Sequence, residues 1–204
     1  MAENLKTTRF ADGADILLID ADTSWRDKAL TGEIYGWIDN NEDVYNEYGV
    51  YYNWKAAMHS NPSSDGNPSG VQGVCPDGWH LPSDAEWKQL ELYLGISEDY
   101  LDSTGWRGNT EGGSLKEVGM ARWFEPNNGA TDAFGFTALP AGIRYEDTGI
   151  SEWIGRIASF WSATELEFEV DQAWKRSLSA NKAEISRQQN SKGRGMSVRC
   201  VADP

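Results

Sequence analysis

The side chains that could perform catalysis are few, and none of them stands in a recognised catalytic motif. Neither of the two histidines, His59 and His80, has a serine or cysteine nucleophile in a recognised local frame. The Gly-Gly-Ser run at 112–114 is not the Gly-x-Ser-x-Gly turn of a nucleophile elbow. The chain contains neither a P-loop nor a strand-linked Gly-x-Gly-x-x-Gly. His80 stands between Trp79 and Leu81, which is typical of a histidine packed in a core. The sequence therefore predicts a protein that is not an enzyme.

Acidic side chains are abundant, but their spacing indicates no specific site. The pairs Asp84/Glu86 and Glu165/Glu167 are expected to be solvated or to cap a helix, because the chain has 32 acidic residues. The Glu-Pro-Asn run at 125–127 has oxygen ligands of the kind that Ca²⁺ binds. A match of three residues is weak in a chain this rich in Asp, Glu and Asn. We therefore expect no cofactor, with calcium as the alternative.

The two cysteines, Cys75 and Cys200, lie far apart in the sequence. Zinc sites need clustered ligands, and the two histidines are not spaced as in any zinc motif, so we expect no metal. Composition alone leaves two alternatives, a disulfide and two separate buried thiols. A disulfide that closes so long a loop stabilises a fold by about 4–5 kcal/mol in the chain-entropy model.

The length and composition predict one globular domain over residues 1–204. The chain has 10 tryptophans, which excludes a disordered low-complexity protein. Its net charge of −14 argues against a nucleic-acid partner, because phosphate contacts need a basic surface. No apolar run approaches 18 residues, so we expect no insertion into a membrane. The first residues lack the apolar stretch of a signal peptide, which predicts an intracellular protein or a piece of a longer product.

The charge is distributed unevenly along the chain. The segment 174–199 has seven lysines and arginines and one glutamate, whereas the rest of the chain is strongly acidic. Two interpretations remain open here. The segment is either a basic hairpin lying against an acidic body or a surface whose charge is set for a partner.

Two helices and three strands can be predicted from the pattern. A helix over 47–59 has an apolar face that Gly49 weakens. A second helix begins after Ser83, which with Glu86 forms a capping box, and ends at Gly95. We expect Trp79 and Trp87, which flank its start, to be buried. Partial alternation predicts the strands, with polar turns between them, at 160–164, 173–178 and 196–201.

Several longer motifs follow one another along nearly the whole chain. They include Cys-Pro-Asp-Gly-Trp-His at 75–80, followed by Leu-Pro-Ser-Asp-Ala-Glu-Trp, then Gly-Phe-Thr-Ala-Leu-Pro-Ala-Gly at 135–142, Phe-Trp-Ser-Ala-Thr-Glu at 160–165 and Ser-Val-Arg-Cys-Val at 197–201. In this order they resemble the Fibrobacter succinogenes major paralogous domain of bacterial surface and secreted proteins. That family is similar to the C-type lectin-like fold, a relative of the formylglycine-generating enzyme fold.

The resemblance implies an α+β fold with two helices, small antiparallel sheets and extensive loops. It also implies a disulfide between Cys75 and Cys200, which occupy the positions that join the first-helix region to the last strand in C-type lectin-like domains. The chain lacks the cysteine arrangement of the enzymatic branch. It also lacks a Trp-Asn-Asp after 125–127, so calcium-dependent sugar binding does not follow from the resemblance.

The C-terminal segment resembles the variable region of proteins from diversity-generating retroelements, in which polar residues vary on a fixed scaffold. The resemblance implies a non-catalytic, adhesin-type module that binds a protein ligand through 161–194, on a cell surface, in secreted form or displayed on a phage particle. The predicted binding residues are Trp161, Glu165, Trp174, Ser177, Ser179, Asn181, Glu184, Ser186, Gln188, Gln189, Lys192 and Arg194.

Two alternatives remain. The segment is a plain solvated hairpin with Trp161 and Trp174 in the core, or the protein is a carbohydrate-binding domain in which exposed aromatic rings stack on sugars.

Overall fold

The computed structural model describes residue 1 and residues 3–204, and it is an α+β protein built from short elements. Its α-helices are α1 (Asp22–Lys28), α2 (Tyr45–Tyr48), α3 (Trp54–Met58), α4 (Asp84–Leu94) and α5 (Glu98–Leu101). Its strands are β1 (Leu17–Leu18), β2 (Ile34–Trp37), β3 (Val50–Tyr52), β4 (Trp79–His80), β5 (Gly105–Arg107), β6 (Ile143–Arg144), β7 (Ser151–Glu152), β8 (Ile157–Glu165), β9 (Gln172–Ser179), β10 (Ile185–Ser191) and β11 (Val201–Ala202). The predicted α+β class agrees with this structure.

The largest sheet has four antiparallel strands in the order β5-β10-β9-β8. The register sets Lys175 between Trp161 and Gln188, and it sets Trp174 opposite Gln189. Successive side chains of a strand point to opposite faces. Trp161, Lys175 and Gln188 therefore share one face of the sheet, and Trp174 and Gln189 share the other.

The predicted strands are present to different extents. The strands at 160–164 and 173–178 lie within β8 and β9. The strand at 196–201 is present only in part, as isolated bridges at Met196 and Ser197 followed by β11. β10 occupies a stretch that was predicted as polar turn, because its side chains carry no alternating apolar pattern.

Three smaller sheets complete the fold. β1, β2 and β3 form one of them, with a parallel β1-β2 pair and an antiparallel β2-β3 pair. β4 pairs with β11, and β6 pairs with β7. The chain therefore brings its last residues back beside segments that come more than a hundred residues earlier.

α4 forms as predicted and packs against the four-stranded sheet. The Ser83 hydroxyl accepts from the Glu86 N–H, and the Glu86 carboxylate accepts from the Ser83 N–H, so the capping box is complete. Gly95 ends the helix with φ of 113°, a left-handed conformation that glycine tolerates best. Trp87 is buried, as expected, whereas Trp79 is only partly buried.

The predicted helix over 47–59 is wrong. The structure has the short helix α2, then the strand β3, then the short helix α3. Gly49 ends α2 with φ of 79°, and Asn53 caps α3 by accepting from the Ala56 N–H. Gly49 and Asn53 thus break the apolar pattern into separate elements, and the tyrosines between them lie in a buried strand.

A disulfide joins Cys75 to Cys200, with a Cα–Cα distance of 5.9 Å. Both cysteines are buried in a hydrophobic cluster that also contains Trp161 and Met196. The disulfide therefore connects the segment just before β4 to the segment just before β11, and these two strands pair with each other. Among the described residues, no helix is long and apolar enough to cross a membrane.

Candidate binding surface

The predicted binding segment 161–194 consists of β8, β9 and β10 with the two hairpins that join them. Four of the predicted binding residues are buried and cannot contact a ligand: Trp161, Ser177, Ser179 and Ser186. Trp161 is fully buried, and its indole N–H donates to the Tyr52 carbonyl at 2.9 Å. These side chains are buried because of where their strands lie in the sheet. β9 has a neighbouring strand on each side, and much of both faces is covered by packed side chains.

Ser177 belongs to a polar cluster inside the sheet. The Ser177 hydroxyl lies 2.8 Å from the Ser159 hydroxyl and accepts from Lys175 Nζ at 2.6 Å. Among the described residues, no carboxylate lies within 4 Å of the Lys175 ammonium. Burial, and secondarily the charge of Arg194, lower the pKa of Lys175 to about 7. This lysine is a core group and not a surface contact.

The remaining predicted residues are at least partly exposed, and five of them lie at the two ends of the sheet. Asn181 and Glu184 lie in the β9–β10 turn at one end of the sheet. Glu165, Trp174 and Lys192 lie at the other end, beside the β8–β9 hairpin, where Lys192 forms an ion pair with Glu165. The remaining members are the exposed Gln188 and Gln189 of β10, and the partly buried Arg194, which pairs with Glu146 at 3.0 Å.

A cavity of about 630 Å³ opens beside the β8–β9 hairpin, and we call it the hairpin cleft. It combines carboxylates with two large aromatic rings. Its lining consists of Ser63, Asp65, Thr164, Glu165, Leu166, Glu167, Phe168, Glu169 and Trp174.

One side of the hairpin cleft is the loop at 63–65, which is fixed to β8. The Ser64 N–H donates to the Ala163 carbonyl at 3.0 Å, and the Thr164 hydroxyl donates to the Ser64 carbonyl at 2.7 Å. The Glu165 N–H donates to the Ser63 hydroxyl at 2.9 Å. These contacts fix the loop at 63–65 against the end of β8.

Trp174 lies between the hairpin cleft and the core. The Arg187 guanidinium lies 3.5 Å from the centroid of its ring, on the side of the sheet that faces α4. Arg187 is buried, whereas Trp174 is partly exposed. The part of the ring that lines the cleft is therefore the part that Arg187 leaves uncovered.

A buried ionic network beneath Trp174 holds Arg187 in place. Asp84 of α4 accepts from Arg187 Nη2 at 2.8 Å and from Arg176 Nη1 at 2.7 Å. Glu91, which lies further along the same face of α4, accepts from Arg176 Nε and from Arg107 Nη2, both at 2.6 Å. Burial alone would raise the pKa of Asp84, but the two guanidinium groups hold it well below its usual range.

This network was not predicted from the sequence, where Asp84 was expected to be solvated or to cap a helix. A signal was nevertheless present. Asp84 and Glu91 are seven residues apart on a helix, so they lie on the same face. Arg176 lies on a strand that was predicted, β9, and Arg187 lies on β10, which was not. Acidic residues on the apolar side of an amphipathic helix indicate buried partners.

A second cavity, of about 580 Å³, lies beside the edge strand β5 at the other end of the sheet, and we call it the edge cleft. Tyr100 and Trp106 line it together with hydroxyl and amide groups of Ser97, Ser103, Thr104 and Asn109. Lys182 Nζ lies 5.5 Å from the Trp106 ring centroid. The β9–β10 turn beside this cleft is held by Lys116 Nζ, which donates to the carbonyls of Ser179 and Lys182.

The other candidate residues have structural contacts. The two ring nitrogens of His80 each lie 2.7 Å from a carboxylate oxygen, one of Glu86 and one of Asp203. In the run 125–127, the Asn127 amide donates to the carbonyls of Glu117 and Gly119. Among the described residues, no group of three or more His, Cys, Asp or Glu side chains is arranged to hold a metal ion.

Comparison with known families supports the resemblance seen in the motifs. The family model described as the Fibrobacter succinogenes major domain matches residues 1–202. Comparisons with curated proteins and with solved structures found no match.

Proposed function

The chain belongs to the Fibrobacter succinogenes major domain family, and on that basis we propose that it is a non-catalytic module that binds a protein ligand. The hairpin cleft carries the proposal. It is an open concave site with aromatic and charged groups, and hydrogen bonds fix the loop on one side of it to β8. Rigid aromatic residues beside a preformed cavity are the groups that contribute most to binding energy in protein interfaces.

The division between scaffold and surface supports the same proposal. In β10, Ser186 and Arg187 are buried, whereas Gln188 and Gln189 are exposed on opposite faces of the sheet. Exposed polar side chains on such strands can change without altering the core. The finer assignments are those that the sequence resemblance implies. We propose a C-type lectin-like fold, with exposed positions of 161–194 varying between copies as in diversity-generating retroelements, in a surface, secreted or phage-displayed protein.

Binding to a panel of purified cell-surface proteins tests the proposal directly. Any protein that the wild type captures is then measured against Trp174→Ala, which removes the ring of the hairpin cleft. Tyr93→Ala is the matched control, because Tyr93 is an exposed aromatic residue of α4 outside the cleft. We expect loss of binding with Trp174→Ala and unchanged binding with Tyr93→Ala. Equal binding by all three proteins would place the binding surface elsewhere.

Variation in the segment has its own test. Sequencing of this locus in sibling isolates is expected to show substitutions at exposed positions such as Asn181, Gln188 and Gln189. The buried Ser177 and Ser186 are expected to remain unchanged. An invariant segment would contradict the retroelement proposal and leave the binding proposal standing.

Carbohydrate binding is the second candidate, and the edge cleft favours it. Tyr100 and Trp106 offer ring faces for stacking, and the surrounding hydroxyl and amide groups can hydrogen-bond to sugar hydroxyls. A glycan array with the wild type and Trp106→Ala tests it. A glycan that is retained by the wild type and lost by Trp106→Ala supports this candidate. No retained glycan excludes it.

A further inference from the structure

The carboxylates of the hairpin cleft are only partly neutralised. Glu165 pairs with Lys192, but no lysine or arginine in the described part of the chain lies within 4 Å of Glu167, Glu169 or Asp65. One Asp65 oxygen is held by the Ala85 N–H, which donates to it at 3.0 Å. The cleft therefore presents a local excess of negative charge.

Two aromatic rings stand among these carboxylates. Phe168 at the tip of the hairpin has 89% of its surface exposed, and Trp174 lines the inner part of the cleft. Aromatic faces attract cations, with tryptophan the most effective and arginine the most frequent partner. Trp174 already holds one guanidinium, that of Arg187, at 3.5 Å. The remaining exposed part of the ring can attract a second cation in the same way.

Other ligand classes fit the hairpin cleft less well. An anionic group would meet unneutralised carboxylates at short range. A neutral sugar can donate hydrogen bonds to those carboxylates but supplies no positive charge, so it gains less from them than a cation does. A bare metal ion needs clustered ligands, and the described residues contain no such group.

We propose that the hairpin cleft binds a cationic side chain of a protein partner, and that arginine is the preferred one. Carboxylates on either side would pair with the guanidinium while an aromatic ring covers its face. This inference rests on the proposed function and names the chemistry of its ligand. The overall charge of −14 would also attract a basic segment from a distance.

A synthetic peptide of alternating arginine and glycine tests the inference, with its citrulline counterpart as the control. Citrulline keeps the shape and most hydrogen-bonding groups of arginine but has no charge. Binding is measured by fluorescence anisotropy at low and at physiological salt. We expect the arginine peptide to bind more tightly than the citrulline peptide, with affinity falling as salt rises. Equal binding of the two peptides would overturn the inference.

A pair of double variants separates the cleft from the general acidity of the protein. Glu167→Gln with Glu169→Gln removes two charges inside the hairpin cleft. Glu98→Gln with Asp99→Asn removes two exposed charges on α5, outside it. We expect the first to weaken arginine-peptide binding by about five- to tenfold, as for two partly exposed ion pairs. We expect the second to change it less than twofold. Equal effects of the two would mean bulk attraction only, and would overturn the inference.

A third variant tests the aromatic contribution without risk to the fold. Phe168→Ala removes an exposed ring, and Phe168→Tyr keeps one. We expect weaker binding only with alanine. The inference and the proposed function can fail separately. If a protein from the panel loses binding with Trp174→Ala but keeps it with the cleft glutamine variant, the proposed function stands and the arginine inference falls.

Discussion

Removal of the Asp84 charge provides a demanding test of how the fold holds its candidate surface. Asp84 has 1% of its surface exposed and accepts hydrogen bonds from Arg176 at 2.7 Å and from Arg187 at 2.8 and 2.9 Å. The change Asp84→Asn preserves the shape of the side chain. It also leaves two buried guanidinium groups facing a neutral amide that can itself donate.

The expected loss follows from that geometry. Breaking a buried ion pair by neutralising one partner costs about 3–5 kcal/mol, because the remaining charge stays buried without compensation. For a chain of this length each kcal/mol shifts the melting temperature by about 2–4 °C, so we expect a drop of about 6–20 °C. Arg187 would also lose its main anchor, and Trp174 would lose a fixed neighbour.

Denaturant unfolding at pH 7, with melting followed by circular dichroism, measures the effect. Asp102→Asn is the matched control, since Lys88 pairs with Asp84 at 3.0 Å and with Asp102 at 2.6 Å, but the Asp102 side chain is 85% exposed. We expect that variant to lose less than about 1 kcal/mol. A loss below about 1 kcal/mol for Asp84→Asn as well would refute the reasoning, because the buried network would then contribute no more than a surface pair.

The pH dependence adds a second signature to the same experiment. The folded-state pKa of Asp84 is depressed by its guanidinium partners despite its burial. The stability that its charge contributes is therefore complete above the unfolded-state pKa of about 3.9 and is lost as the pH falls through the lower folded-state pKa. We expect the difference between wild type and Asp84→Asn to be constant from pH 7 to about 4 and to shrink below that.

Further measurements address other parts of the molecule. Mass spectrometry of non-reduced protein is expected to find no free thiol, and the double change of Cys75 and Cys200 to serine is expected to lower the free energy of unfolding by up to about 4–5 kcal/mol. Burial lowers the pKa of His80, but hydrogen bonds to two carboxylates outweigh burial and raise the pKa overall. The stability that His80 contributes, relative to a His80→Gln variant, should therefore be complete below pH ~6.5 and be lost as the pH rises through the raised pKa. Urea unfolding of both proteins across pH 5–9 checks this sign. The Lys175→Met variant removes a buried amine whose pKa is about 7, so we expect it to be about 1–4 kcal/mol more stable than the wild type at pH 6, with the advantage shrinking as the pH rises from 7 toward 10. A triple variant that changes the exposed residues Asn181, Gln188 and Gln189 to alanine is expected to melt within a few degrees of the wild type.

The sequence predicted the elements whose local signals agree with their tertiary surroundings. α4 has a capping box and a terminal glycine, and both can be recognised in the sequence. β8 and β9 contain enough alternating apolar residues to be recognised. The region 47–59 was misjudged because its apolar residues fit a helical face, while Gly49 and Asn53 break the backbone between them.

The surface was harder to predict than the fold. Serine is usually exposed, so the polar residues of β9 and β10 suggested a solvated face. In the structure, Ser177 is buried because the hydroxyl of Ser159 on the neighbouring strand and the amine of Lys175 on its own strand satisfy its hydrogen bonds. The pairing of β8 with β9 brings Ser159 to this position, and composition cannot identify such a contact. Trp174 was recognised as a candidate, but its neighbours Asp65 and Phe168 become part of one cleft only through the fold.

The pairing of β5 with β10 has a consequence for how the chain folds. β5 ends at Arg107 and takes its place in the sheet only when residues 185–187 lie beside it. β4 likewise has its pairing partner only when β11 lies beside it. Contacts between segments so distant in sequence carry a large loop-closure entropy, and proteins dominated by them fold slowly, in about milliseconds to seconds. A ribosome must therefore release nearly the whole chain before its central sheet can close, and until then the tryptophan-rich segments remain exposed to chaperones and to one another.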